Sequence, residues 1–303
     1  MKVLLIGYGS IGKRHFEVLH TLSTITSVDV ISKQKLQKNS CYPSLGEIKD
    51  LNIYDYFIIA SETVKHFEQL KYICSKVENK KILVEKPLYD KVYEHIETTN
   101  KIFTAYNLRF HPVMAELTEL LKDEDIYYAN IICGQYLPTW RPEQDYRNSY
   151  SADIKKGGGV LRDLSHELDY ITWLFGNIKK FDAINTKISD LDINSDDIFT
   201  AVGVSNRNII INVSMDYISK TPMRRLIIHT KTHTIEADMI KNTITIGAAN
   251  ANSQTIECQS IDRNYTYTKM HEAILNGSDD NVCSYTEGFN IVNIIENIDY
   301  KEL

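Results

Sequence analysis

Two short stretches carry side chains suited to moving a proton. In Gly157-Gly158-Gly159-Val160-Leu161-Arg162-Asp163-Leu164-Ser165-His166-Glu167-Leu168-Asp169, His166 stands three residues after Asp163 and three before Asp169. On one continuous helix all three project from about the same side. A histidine titrates near neutral pH, so one flanked by carboxylates suits general acid or base work. The same spacing also fits metal ligation or a plain solvated helix face. In Ile82-Leu83-Val84-Glu85-Lys86-Pro87 an apolar run delivers a carboxylate and an ammonium to the end of a strand, and proline stops the ladder. There the alternative is a surface salt bridge.

A third stretch points to a phosphate-bearing ligand. Val3, Leu4, Leu5 and Ile6 read as a buried strand, followed by Gly7-Tyr8-Gly9-Ser10-Ile11-Gly12 and a helical pattern. Strand, G-x-G-x-x-G turn and helix together form the dinucleotide fingerprint. Gly7 permits the turn, Gly9 lets a pyrophosphate approach the backbone, and Gly12 allows close packing of helix on strand. The unpaired N–H groups and positive end of the helix face the phosphates, with Ser10 and Ile11 in the first turn. A fourth stretch, Ala60-Ser61-Glu62-Thr63 with His66, ends another strand, where it can lie along the adenosine side of a dinucleotide. By itself His66 reads as an ordinary surface histidine.

The elements that must position these groups change character along the chain. Strands are expected at 2–6, 28–31, 55–60 and 81–85, and helices at 11–22, 63–76 and 90–99. This alternation implies a parallel sheet covered on both faces. A strand near 102–106 leads into Asn107-Leu108-Arg109-Phe110-His111-Pro112. A dinucleotide-binding Rossmann domain of residues 1–108 is expected, then an α+β substrate and oligomerisation domain of residues 109–303. The latter should carry a mainly antiparallel open sheet, with the terminal helix 286–298 able to pack back on the first domain. Its expected elements are a helix at 113–122, a strand at 126–134, a helix at 160–174, strands at 180–188, 198–205, 209–217, 224–230, 233–237 and 242–246, and helices near 263–276 and 286–298. Ser284 and Glu287 have capping-box spacing. The segment 135–156 is too long for an ordinary connection, which marks it as functional.

The bulk numbers narrow the function classes. The chain has 303 residues, 43% of them hydrophobic, enough for two domains with real cores. Thirty-four basic against forty acidic residues give a net charge of −6, which argues against a nucleic-acid binder. No apolar run reaches the length of a membrane span, and the first residues read as a strand rather than a signal peptide, so no membrane partner and a cytoplasmic location are expected. The five cysteines are scattered without a C-x-x-C pair, so neither a metal site nor a disulfide framework is expected.

In this order the motifs resemble those of the Gfo/Idh/MocA oxidoreductases, the glucose–fructose oxidoreductase and inositol dehydrogenase relatives. The stretches that carry the resemblance are GYGSIGKRH at 7–15, ASETVKH at 60–66, VEKPL at 84–88, YNLRFHP at 106–112, GGGVLRDLSHELD at 157–169 and EGFNIV at 287–292. The resemblance implies NAD(P)-dependent hydride transfer to or from an alcohol carbon of a sugar, sugar acid or nucleotide sugar. It also implies a homo-oligomer, dimer or tetramer. Lys86 matches the lysine placed near nicotinamide and the reacting hydroxyl, His166 the acid/base histidine, and Asp163 the aspartate before it. Many members space that aspartate and histidine by four residues; here the spacing is three.

Lys86 and His166 are thus expected to line one cleft, with Asp163 orienting substrate or His166. The expected cofactor contacts are Gly7, Gly9, Ser10, Ile11, Gly12, Ser32, Lys33, Ala60, Ser61, Glu62, His66, Glu85, Lys86 and Asn107. Trp140 and Arg141 join them at the nicotinamide end, as a Trp–Arg pair does in some relatives. The expected substrate contacts are Tyr136, Tyr146, Arg147, Tyr150, Arg162, Asp163 and His166, with the arginines suited to a phosphate or carboxylate. The segment around Trp140 and Arg147 also resembles a subgroup associated with surface-polysaccharide and nonulosonic-acid pathways. NADP is slightly favoured over NAD. The strand Val28-Asp29-Val30-Ile31 ends in Ser32 and Lys33, where NAD sites place an acid for the ribose 2′-hydroxyl. Two other readings within the fold are an NAD-dependent glycoside hydrolase and a non-catalytic dinucleotide-binding sensor.

Overall fold

The computed structural model describes residues 1–34, 41–278 and 280–300. The chain divides into two compact units: Met1–Phe110 with Asp262–Asn293, and His111–Ile261 with the described residues from Ile294 onward.

The first unit is built on β1 (Lys2–Ile6), α1 (Ser10–Thr21), β2 (Ser27–Ile31), β3 (Cys41–Tyr42), β4 (Tyr56–Ile59), α2 (His66–Cys74), β5 (Lys81–Val84) and β6 (Lys101–Thr104). Its sheet has the order β15-β6-β5-β4-β1-β2-β3, where β15 is Cys283–Ser284. All pairings are parallel except β15 with β6. Because parallel strands are covered on both faces, β1 and β4 read as unbroken apolar runs, and Val3, Leu4, Leu5, Phe57 and Ile58 are fully buried. Two apolar clusters sandwich the sheet. One joins Leu4, Ile6, Phe57 and Val84 to Phe67 and Leu70 of α2. The other joins Val3, Leu5 and Ile58 to Val18 and Leu19 of α1. Late segments complete both. Met270 and Ile274 of α7 (Tyr265–Asn276) enter the cluster on the α1 side, and Tyr285 and Val292 of α8 (Tyr285–Glu296) the one on the α2 side. The capping box forms: Ser284 N–H donates to Glu287 at 2.8 Å and Glu287 N–H to Ser284 Oγ at 3.3 Å.

Residues 90–99 form neither helix nor strand, against the expectation of a helix. Tyr89, Tyr93 and Ile96 have helical spacing, but tertiary partners hold the segment. Tyr93 stacks on Phe67 at 4.1 Å, and the Ile96 N–H donates to the Tyr285 hydroxyl at 3.1 Å instead of to a carbonyl one turn back.

The second unit holds α3 (Pro112–Leu120), β7 (Ile126–Gly134), α4 (Leu137–Trp140), α5 (Val160–Asp163), α6 (His166–Phe175), β8 (Ile178–Thr186), β9 (Ile198–Ser205), β10 (Ile210–Asp216), β11 (Met223–Thr230), β12 (His233–Asp238), β13 (Thr243–Ala248), β14 (Gln254–Glu257) and β16 (Asp299–Tyr300). Its sheet has the order β14-β13-β12-β11-β7-β10-β9-β8-β16. It is antiparallel apart from β10 with β7 and β16 with β8. One face is covered. On β10, Ile211, Val213 and Met215 are fully buried while Ile210 is 52% exposed, the period-2 pattern of a half-buried strand.

The helix expected at 160–174 is two helices. Leu164 takes ψ 25°, which turns its carbonyl out of helical register, and α6 begins anew at His166. Asp163 and His166 therefore lie on different helices and do not share one helical face. The segment 135–156 is packed rather than open. Its Gln135 and Leu137 N–H groups donate to the carbonyls of Asp216 and Tyr217, and α4 is followed by three short 3₁₀ turns.

Candidate active site

In the first unit, the glycine loop separates what the protein needs for itself from what it leaves open. Gly7 has φ +100°, and a Cβ there would stand 2.4 Å from the Ala60 carbonyl oxygen. A Cβ on Gly12 would stand 2.2 Å from the Gly7 carbonyl, so Gly12 makes room for the loop itself more than for the strand. A Cβ on Gly9 would meet nothing within 4 Å. Chain packing thus accounts for two glycines and not for the third. Gly9 is the N-cap of α1, no side chain caps that end, and the first turn holds no acid. Exposed N–H groups at the positive end of a twelve-residue helix, beside an open glycine, fit a dinucleotide pyrophosphate.

The neighbouring groups are placed as follows. Asp29 lies inside β2, where it accepts from the Tyr54 hydroxyl at 2.7 Å and pairs with Lys2 at 3.0 Å. Burial, followed by the Asp29 contact, drives the Tyr54 hydroxyl far above the ordinary tyrosine range. Ser32 follows β2 with its Oγ accepting from the Gln34 N–H, and Lys33 is exposed. Ser61 donates to Gln69, and Glu62 pairs with Lys65 on the surface. His66 is buried, with Nε2 at 3.2 Å from the Ser61 carbonyl and Nδ1 at 3.2 Å from that of Leu88. It stitches the turn after β4 to the turn after β5, a role its sequence context does not suggest. Burial lowers its pKa against these carbonyl contacts. Asn107 donates to Thr266 at 2.6 Å. Glu85 is buried, accepting from the Lys86 N–H at 3.1 Å and bonded to His15 at 2.8 Å.

In the second unit, Asp163 is the centre of an aromatic cluster. Its carboxylate accepts from the Tyr150 hydroxyl and, at 2.5 Å, from that of Tyr217. Burial, then the adjacent carboxylate, holds both tyrosines well above the usual tyrosine range, so they remain donors near neutrality. Trp140 packs edge-on to Tyr217 at 5.9 Å, and the Arg141 guanidinium lies over the rings of Trp140 and Tyr150. Tyr136 lies under the Lys220 ammonium, 3.1 Å from its ring centre. Trp140, Arg141, Gln144 and Tyr146 line a pocket in this unit. Gly159, at φ +112°, starts α5 where a Cβ would overlap the Asp196 carboxylate. That carboxylate accepts from the Leu161 N–H.

Three expected substrate residues make polar contacts within the second unit. Arg147 is exposed, and its guanidinium fork is occupied by Asp145 at 2.7–3.1 Å. Tyr146 accepts from the Asp192 N–H, and Arg162 pairs with Glu296 at 2.7 Å. His166 is half-buried at the start of α6, and Asp169 is buried one turn on. Tyr217 was missed by sequence reasoning; its one signal is that it continues the inward-facing positions of β10. His15 closes the GYGSIGKRH motif, where its sequence context suggests no role. Among the described residues no three His, Cys, Asp or Glu side chains form a cluster that could hold a metal ion, and no helix is long and apolar enough to cross a membrane.

Comparison with known proteins decides the family. Residues 1–110 match the oxidoreductase family with an NAD-binding Rossmann fold, and residues 117–236 match the GFO/IDH/MocA C-terminal domain. The chain belongs to the GFO/IDH/MocA oxidoreductase family. An uncharacterized oxidoreductase of Synechocystis sp. is 31% identical over 160 residues, which is 49% of this chain and 43% of that protein. The match thus spans under half of that relative. Solved structures share the fold of the GFO/IDH/MocA chain over almost its whole length. A UDP-N-acetylglucosamine 3-dehydrogenase from Acidithiobacillus ferrooxidans has TM-score 0.77 at 18% identity, covering 97% of this chain and 94% of that one. A levoglucosan dehydrogenase in complex with NADH has TM-score 0.84 at 15% identity, with the same coverages. An NAD binding oxidoreductase from Klebsiella pneumoniae has TM-score 0.82 at 13% identity, covering 99% and 96%.

Proposed function

We propose that this protein is an NAD(P)-dependent dehydrogenase acting on an alcohol carbon of a sugar, sugar acid or nucleotide sugar. The observation that carries the reading is the open side of Gly9 at the uncapped end of α1, where a pyrophosphate has room that the chain does not use. The glycine loop, Ser32 and Lys33 would hold the dinucleotide, which supplies the hydride acceptor or donor when bound. Lys86 polarises or deprotonates the reacting hydroxyl, and His166 supplies or relays the proton. Asp163, fixed by Tyr150 and Tyr217, orients substrate as a carboxylate with both oxygens engaged. The structural relatives named as sugar dehydrogenases support the substrate class.

Arg141 suits an anionic or nucleotide-linked sugar better than Arg147 does. Asp145 already occupies Arg147, whereas Arg141 has no ion pair among the described residues and lines the pocket. NADP is preferred over NAD, because Ser32 and Lys33 can receive a 2′-phosphate where Asp29 is committed to Tyr54 and Lys2. One charged hydrogen bond of roughly 1.5–3 kcal/mol amounts to about tenfold to a hundredfold in affinity. Tighter binding of NADH than of NADPH, or a Lys33→Ala variant that keeps full NADPH affinity, would overturn that preference.

The deciding experiment screens sugars, sugar acids and nucleotide sugars with both cofactors at 340 nm. Substrate-dependent nicotinamide turnover is expected. Glycosidic cleavage without net change at 340 nm would instead indicate a hydrolase, and cofactor binding with neither would indicate a sensor. The protein is expected to work as a soluble cytoplasmic homo-oligomer, which sedimentation of the purified chain tests for assembly state.

A further inference from the structure

Four polar side chains run in a line through the interior of the first unit, beside the apolar cluster on the α1 side. The Tyr56 hydroxyl lies 3.0 Å from His271 Nδ1, His271 Nε2 lies 2.8 Å from His15 Nδ1, and His15 Nε2 lies 2.8 Å from Glu85 Oε1. Tyr56, His15 and His271 are fully buried and Glu85 is 7% exposed. They come from β4, α7, α1 and the end of β5. His15 also meets Tyr267 of α7 edge-on at 5.2 Å.

The protons have one consistent arrangement. Burial lifts the Tyr56 hydroxyl well above the ordinary range, with the Glu85 charge adding to it, so the hydroxyl keeps its proton. Among the described residues its partner is His271 Nδ1, so it donates there. Burial, with His15 alongside, holds His271 well below the ordinary histidine range, so His271 is neutral and carries its single proton on Nε2. That proton goes to His15 Nδ1, which leaves His15 Nε2–H to donate to Glu85. Glu85 Oε2 accepts the Lys86 N–H. Every buried polar atom along the line is satisfied: donation runs one way from Tyr56 to Glu85, and the Lys86 N–H meets Glu85 from the other side.

We infer that Tyr56, His271 and His15 form a one-way hydrogen-bond chain that fixes Glu85, and through it the turn bearing Lys86, to the helix whose N-terminus receives the dinucleotide. His15 and His271 are positioning residues. The chain deepens the proposed function and rests on the reading of Lys86 as a proton-transfer group. Other titratable groups facing Glu85 are Tyr267 of α7 and His66 of α2.

The test begins with the wild-type protein. Long-range ¹H–¹⁵N spectra should show both His15 and His271 protonated on Nε2 at neutral pH; a proton on Nδ1 of either ring overturns the chain. Lys86 is then observed through the ¹³C signal of its reductively methylated amine, assigned with Lys86→Arg. In His15→Phe and His271→Phe that signal should move, while NADH affinity by fluorescence stays within about threefold, well under the tenfold that 1.4 kcal/mol represents. His15→Gln, which keeps a donor toward Glu85, should restore the wild-type signal and most of kcat, with KM unchanged throughout. An unmoved Lys86 signal in folded Phe variants, or Gln behaving as Phe does, refutes the chain. If Lys86→Ala remains active while the signal responds, the chain stands and the catalytic reading of Lys86 falls. If Lys86→Ala is inactive and the signal does not respond, the reverse holds.

Discussion

Two buried carboxylates, Glu85 in the first unit and Asp163 in the second, are held by opposite means. Glu85 sits at the end of a parallel strand, and its partners come from regular elements: His15 on α1 and, behind it, His271 on α7. Asp163 is held by Tyr217, at the end of β10, and by Tyr150, which lies in a 3₁₀ turn and is 39% exposed. The first arrangement is closed on every side by the core of its unit. The second has one wall made from a long connecting segment. Rigid scaffolds with variable loops separate a common chemistry from a particular ligand in this way. On the proposed function, cofactor handling falls to the Glu85 side and substrate choice to the Tyr150 side.

The largest effect should come from the glycine loop. Gly9→Leu should abolish NAD(P)H binding in a fluorescence titration yet keep the melting temperature, because its side chain enters space the protein leaves open. Gly12→Leu should lower the melting temperature itself, since its Cβ would overlap the Gly7 carbonyl. Equal thermal losses in the two variants would remove the distinction between ligand space and packing space.

Next come the proton-transfer groups. Lys86→Ala and His166→Ala should each lower kcat by ~10²–10⁴, with cofactor affinity nearly unchanged. A His166 variant with full turnover would confine the chemistry to the Lys86 side.

The Asp163 cluster separates stability from exposure. Tyr217→Phe removes a donor from a buried carboxylate and should cost about 1–3 kcal/mol in denaturant unfolding. Tyr150→Phe should cost less stability and more KM, because its ring is partly exposed. If the order of the two stability losses is reversed, the loop rather than the strand anchors Asp163.

The smallest effect is a pH trend in stability. His271 and His66 have folded pKa values below the ordinary one, and His111 is pushed down to about 4 by burial and then by Arg224. The unfolded chain therefore binds protons that the folded chain refuses. Their contribution is fully present above the ordinary histidine pKa and is lost as pH falls from there toward the depressed folded values. Urea midpoints measured from pH 7.5 to 5 should fall, and His271→Phe should flatten the slope. A midpoint that rises toward pH 5 would contradict the buried neutral histidines.

Local order was the legible part of this protein. The strand, G-x-G-x-x-G turn and helix at residues 2–21, the apolar run ahead of Glu85-Lys86-Pro87, the alternation in β10 and the Ser284–Glu287 capping box all follow from neighbours within a few residues. Each is a matter of backbone geometry and side-chain period. The same period misled at 90–99, where Tyr89, Tyr93 and Ile96 carry helical spacing but the aromatic rings of Phe67 and Tyr285 hold the segment. It also misled at 160–174, where the break at Leu164 places Asp163 and His166 on separate helices. What only the tertiary structure decided is which polar groups meet. His15 bonds to His271 across 256 residues, and Tyr217 to Asp163 across 54. A hydrogen bond needs its partners within about 3 Å, and such proximity between distant segments is set by how the sheets and helices pack. The residue types and motif spacings were present in the sequence, but the partners that set their protonation and orientation came from the fold.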